Sequence, residues 1–179
     1  RYALVYVVIT SIALLILNIF CSNISQELFN KNKEVAMIER CQLAADEISK
    51  LEVINPSTVS DAVSRMESMN VTRLIVTDHT GLIIHDTYQT GSRYALFPEI
   101  VQAMAGNDVF SCHYHDGAMQ SQAATPIVSY KTTLGCVYMM EYDTEQGSLI
   151  QSLQTNVLRI TLILEFVVIL FSFAFANPF

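Results

Sequence analysis

The stretch "TRLIVTDHTGLIIHDT", Thr72–Thr87, sets two short apolar runs on either side of "DHTG". Each run is rich in Ile, Val and Thr and too short for a stable helix, so both predict β-strands. Between them Asp78 can bond its own backbone and Gly81 can take a positive φ, which is turn chemistry. The same residues, with His79, His85 and Asp86, would also suit a metal or catalytic cluster. The hairpin reading uses the glycine and both flanking runs, and the near-continuous apolar character predicts strands covered on both faces.

Downstream, "FPEIVQAMAG" predicts a short helix opened by Pro98 and closed by Gly106. "DVFSCHYH" and "AMQSQAATPIVSY" flank the two-residue turn Asp116-Gly117, a strong hairpin signal. "TLGCVYMMEYD" supplies a fifth strand, and Pro126 predicts a strand end or bulge. Upstream, "NPSTVSDAVSRMESMN" predicts a helix with Asn55 as N-cap, Pro56 at the first position, and Val59, Ala62, Val63 and Met66 on one face.

The two ends are of another kind. Tyr2–Phe20 is uncharged and long enough to cross a bilayer as a helix, longer than the apolar part of a signal peptide. Residues 160–176 form a second apolar run that contains Glu165, close enough to its start to reach the interface. The expected layout is a transmembrane helix over 2–20, an extracytoplasmic domain over 21–143 (with a long membrane-proximal helix over 21–51), a helix over 144–159 and a second transmembrane helix over 160–176. The absence of an initial methionine and the stop after "NPF" lead to the expectation of an excised part of a longer protein. A formal net charge of −7 argues against nucleic acid as a partner. The bilayer is the first partner expected. The four cysteines form no C-x-x-C pair and no disulfide framework, which suits a reducing setting.

Ile24, Leu28, Val35 and Ile38 follow a 4-3 alternation continued by Ala45, with Lys31 and Gln42 in the skipped places. This predicts either a parallel homodimer with a weakened seam or packing against the following helix. The tripeptides "NIS" and "NVT" match the glycosylation sequon, a pattern common by chance.

In order, these pieces resemble the single Cache domain, the PAS-like extracytoplasmic sensor module of bacterial two-component histidine kinases. The residues that carry the resemblance are "TRLIVTDHTGLIIHDT", "PEIVQAMAGND", "AATPIVS", "LGCVYMMEYD" and "QGSLIQSLQ". It implies an α+β fold: an antiparallel five-stranded sheet of order 2-1-5-4-3 with a long N-terminal helix, flanked by two transmembrane helices. It also implies a small-molecule pocket against the sheet, under "YQTGSRYALF". Tyr88, Arg93, Tyr94 and, from the third strand, His113 are the ligand-binding residues expected there. Through a cytoplasmic kinase outside these residues, it implies a response regulator as partner.

His113 and His115 share one strand face and are weak metal candidates, but His85 would then lie at the opposite sheet edge, so no metal site and no cofactor are expected. A Cys-His hydrolase would need a base, an orienting group and oxyanion donors that no local motif supplies. The segment is read as non-catalytic. The alternatives to a kinase sensor are a chemoreceptor or cyclase sensor, or a two-span protein whose external domain serves adhesion, assembly or channel gating.

Overall fold

A computed structural model describes residues 2–66, 71–89, 91 and 93–176. Its elements run α1 (Tyr2–Ser49), α2 (Pro56–Arg65), β1 (Arg73–Asp78), β2 (Ile83–Asp86), α3 (Pro98–Met104), β3 (Val109–His115), β4 (Ala118–Ser129), β5 (Thr132–Asp143) and α4 (Thr144–Ala176). The five strands form one antiparallel sheet in the order β2-β1-β5-β4-β3. The chain divides into two units, one of them Asn30–Thr144 and the other made of α1 up to Phe29 with α4 from Glu145 onward.

In the first unit the sheet buries both faces. One receives α1 and α2: Met37, Cys41, Ala44 and Ile48, spaced by three and four residues, pack with Val59 on Leu74, Val76, Ala123, Val137 and Met139. Fully buried side chains of the size of Met37 and Ile48 each contribute roughly 1.5–3 kcal/mol. The other face receives α3 and the segment before it, through Ala95, Ile100 and Ala103 against Ile75, Ala124, Cys136 and Tyr138. At Gly135 the strands approach so closely that a Cβ would fall 1.9 Å from the Thr77 carbonyl oxygen, so only glycine fits.

Local chemistry explains the ends of the elements. Asn55 Oδ1 accepts from the Ser57 and Thr58 amides at 3.0 and 2.9 Å, and Thr58 Oγ1 accepts from the Asn55 amide, closing a capping box ahead of Pro56. Asp116 and Gly117 both take positive φ, as their two-residue hairpin requires. Pro126 stays inside β4, paired with Cys136, and the irregularity falls one residue on, between Ile127 and Val128. The proline is tolerated there because β3 pairs only as far as Ala124, leaving β4 an edge at that level.

The 4-3 stripe on α1 divides. Ile24, Leu28 and Val35 are exposed, Ile38 is half-buried, Ala45 is buried against the sheet, and Gln42 donates to Asp108 at 2.8 Å. A helix of 3.6 residues per turn drifts about 20° per heptad against a 3.5-residue pattern, which carries the end of the stripe into the core.

In the second unit, α1 and α4 each hold a window of mean hydropathy 2.3, long and apolar enough to cross a membrane. Within that unit Asn18 Nδ2 donates to Thr161 Oγ1 at 2.8 Å, and Thr161 and Glu165 lie on the half-sheltered side of α4.

Asp78 does what a turn requires: its Oδ1 accepts from the Thr80 amide at 2.7 Å, the Thr80 hydroxyl at 2.6 Å and the Leu82 amide at 3.0 Å. Burial pushes its carboxyl up, but these bonds and His79 outweigh that and hold it below the ordinary aspartate range. A depressed carboxyl stabilises the fold above its unfolded pKa, and that stabilisation disappears as pH falls through the folded value. Asp78→Asn should therefore cost about 1 kcal/mol at pH 7. In denaturant titrations its gap from the parent should narrow below about pH 4; a gap unchanged down to pH 2.5 would contradict the role given to the charge.

Candidate functional site

The face covered by α3 holds a cluster of buried polar groups. Arg73 opens β1 and meets Asp86 at the end of β2 in a two-pronged ion pair, Nε–Oδ1 3.0 Å and Nη2–Oδ2 2.7 Å. Their side chains are 15% and 4% exposed, so this is an interior pair rather than a surface one. Asp86 Oδ1 also accepts from the Tyr88 amide at 3.0 Å, which fixes where the chain leaves the strand. The Arg73 guanidinium lies 5.2 Å from the Tyr88 ring centre and 5.9 Å from that of Phe97. Phe97 in turn stacks on Tyr138 at 5.3 Å. Burial, then the nearby Glu99, push the Tyr138 phenol up to about 12, with Arg73 pulling the other way; it stays neutral at any ordinary pH.

Glu99, in the first turn of α3, is buried and accepts from the Ser111 hydroxyl at 2.7 Å. The same hydroxyl lies 3.2 Å from Gln122 Oε1, and one proton cannot serve both acceptors. With the Gln122 amide turned over, its NH2 donates to Ser111 and Ser111 donates to Glu99, so all three groups are satisfied. The face thus offers an ion pair, a second carboxylate, a neutral phenol and two aromatic rings, a set suited to holding a small polar or zwitterionic molecule.

A single extra residue produces this arrangement. β1 pairs β2 as Thr77↔Ile83 near the turn but as Val76↔His85 and Ile75↔Asp86 beyond it, leaving Ile84 as a bulge. Without the bulge Asp86 would face α1; with it, Asp86 shares a face with Arg73.

The expected site residues separate. Tyr88 lies on Arg73 and belongs to the cluster. Arg93 and Tyr94 are exposed, and the Arg93 carbonyl accepts from the Ile83 amide while Tyr94 bridges Leu82, so their backbone extends the sheet beside β2. His113 is exposed on β3, at the far edge, and His115 pairs with its exposed neighbour Asp116 at 3.3 Å. Among the described residues no three His, Cys, Asp or Glu side chains gather as a metal site would need. Arg73, Phe97, Glu99, Ser111 and Tyr138 did not stand out in the sequence, and Asp86 did so only as a member of a possible metal or catalytic cluster in the hairpin. The only available signal was Arg73 and Asp86 at opposite ends of one hairpin.

No protein-family model and no curated protein matches the chain. Solved structures do. The ligand-binding domain of the Pseudomonas aeruginosa PAO1 amino acid chemoreceptor PctC, in complex with GABA, superposes with a TM-score of 0.55 at 11% identity, over 73% of this chain and 66% of that one. The ligand-binding domain of the Pseudomonas fluorescens chemoreceptor CtaA, in complex with L-alanine, gives 0.50 at 16% identity, over 69% and 59%. This is the Cache fold. The chain thus spans less than two thirds of the length of either domain. In this Cache sheet the face under the segment between β2 and α3, expected to hold the pocket, is the one that carries Arg73, Glu99 and Tyr138.

Removing one member of an interior ion pair strands the other charge. Asp86→Asn should destabilise the fold by about 3 kcal/mol in chemical denaturation, and Arg73→Met combined with Asp86→Leu should recover most of that loss. Equal destabilisation by the single and double variants would assign the cost to packing instead.

Proposed function

We propose that this chain is the sensing and membrane-spanning part of a bacterial receptor. On this reading residues 21–159 lie outside the cytoplasm, and a small polar molecule binds on the Arg73–Glu99–Tyr138 face. The observation that carries the reading is a Cache sheet whose last strand, β5, passes into the apolar α4 with no intervening residue. The other end of the same chain is an apolar helix that also supplies the sheet's packing partner.

The ligand class follows from charge. GABA and L-alanine, the compounds in the two similar domains, carry an ammonium and a carboxylate. A face with one guanidinium and two carboxylates suits such a molecule, the ammonium toward Glu99 and the carboxylate toward Arg73. The output proposed is a histidine kinase beyond these residues, acting on a response regulator; a chemoreceptor output uses the same external unit. The receptor is a homodimer on this reading, its seam led by Ile24, Leu28 and Val35, where α1 is exposed, and trailing off at Ile38.

The test is a thermal-shift screen of the purified chain against the protein amino acids and GABA. A binder present at a hundred times its Kd should stabilise by about 2.7 kcal/mol, and Glu99→Gln should abolish that shift. A panel with no binder, or a shift unchanged by Glu99→Gln, would remove the proposal.

Topology has its own check. A cysteine introduced at the exposed Asp116 should react with an impermeant maleimide in intact cells. Reaction only after lysis would place this unit in the cytoplasm.

A further inference from the structure

Within the unit formed by the two apolar helix ends, one polar group crosses from α1 to α4. Asn18 Nδ2 donates to Thr161 Oγ1 at 2.8 Å, between residues 143 apart in the chain. Their sequence neighbours Leu17, Ile19, Ile160 and Leu162 are exposed and apolar, as the lipid-facing positions of a span are. Asn18 and Thr161 themselves are half-sheltered, on the sides where the helices meet.

Hydroxyls in such helices satisfy themselves. Thr10 Oγ1 donates to the Tyr6 and Val7 carbonyls at 2.9 Å, and Thr161 Oγ1 donates to the Val157 carbonyl at 2.9 Å. The Asn18 amide instead reaches across to the other helix. Because the Thr161 proton is committed to its own backbone, its oxygen is left as an acceptor, and Asn18 must present its NH2.

The neighbouring parts of the contact tolerate sliding. Outward of the bond, α1 and α4 enclose a gap of about 20 Å³ lined in part by Ser22, Ser25, Gln26, Leu153, Gln154 and Val157, mostly small or flexible side chains. Inward, the sheltered sides are mostly apolar, with Val7, Leu14, Val168 and Ile169, and apolar helices gain only packing from each other in lipid. Glu165 lies one turn beyond Thr161 on the same side, and the Cα–Cβ bonds of a helix tilt toward its N-terminus, which directs Glu165 back to the same point.

We propose that Asn18 is a clasp residue, which holds α1 to the α4 of its own chain inside the membrane and fixes the register of the two spans. In a homodimer each α1 has two α4 helices to choose from, and the clasp commits it to its own. Ile24 and Leu28 lie about 80–120° around the helix from Asn18 and are exposed, so the clasp leaves that stripe free for a second copy. The two spans of one chain then cross the bilayer as a single body, and displacement of one carries the other. The inference rests on the reading of both helices as membrane spans and not on what the outer unit binds.

The test uses the full chain in cell membranes, with Cys21→Ser and Cys112→Ser removing the exposed thiols. Ser22→Cys is combined in turn with Val157→Cys and with Leu153→Cys, positions that line the same gap. Antiparallel helices joined at 18 and 161 bring 22 level with 157 and leave 153 about one turn away. Oxidation should therefore link Ser22→Cys to Val157→Cys in preference to Leu153→Cys, in a product that runs as a monomer.

Asn18→Leu should lower that preference about three- to tenfold, the equilibrium weight of a hydrogen bond between membrane helices. Thr161→Ser keeps the oxygen and should retain the preference, whereas Thr161→Val should lose it. Thr161→Val added to Asn18→Leu should change nothing further, because one bond can be lost only once. Both apolar substitutions favour insertion, so the variants still reach the membrane. A preference unchanged by Asn18→Leu, additive effects of the two substitutions, or links formed between chains would overturn the clasp. Release of the parent chain from membranes by alkaline carbonate would remove the spanning reading and the clasp with it; retention with a preference indifferent to Asn18 would remove the clasp alone.

Discussion

Ile84, one residue more in β2 than β1 can pair, decides what the far side of the sheet can do. Because side chains alternate along a strand, the bulge carries Asp86 from the helix-packed face to the face of Arg73. The ion pair that results anchors the Tyr88 amide and sets the guanidinium against two rings, and Phe97 then covers Tyr138. Remove the bulge and that chain of contacts has no starting point, although most apolar packing on both faces would survive.

The two faces divide the work differently. On the α1 side apolar burial supplies the attraction, and polar contacts placed around it fix position: Lys33 and Arg40 on Glu141, and Gln42 on Asp108. On the α3 side the apolar cluster is smaller and the interior holds two carboxylates and a guanidinium with partners, and a phenol whose ring stacks on Phe97. A polar interior of that kind adds little net stability compared with an apolar one of similar volume.

Much of the fold was legible because its signals are local. Asn55 before Pro56, Asp78 before Gly81 and Asp116 before Gly117 each specify a cap or turn with their own side chain or φ, and all three act as the sequence suggests. The strand order followed from the resemblance that those pieces carried.

The site was mostly illegible, because its members come together only through register. Arg73 and Asp86 meet across a bulge that no residue type announces, and Glu99 reads as an ordinary first-turn acid until β3 delivers Ser111 to it. Tyr88 was legible from its place in the covering segment, whereas the backbone of Arg93 and Tyr94 lies along the sheet edge and His113 sits four strands away from β2. On α1 a regular stripe suggested one surface where the helix presents two, since its C-terminal part turns inward.

The four thiols have a consequence of their own. Cys21 is exposed and Cys112 partly so, but Cys41 and Cys136 are fully buried on opposite faces of the sheet. Burial pushes both thiols up, Cys136 to about 12, so neither forms the reactive thiolate while the sheet is intact. Oxidants and alkylating agents reach this pair only when one layer lifts. The molecule thus carries two built-in clocks, one under each layer, whose modification rates would time the opening of the α1 side and the α3 side separately.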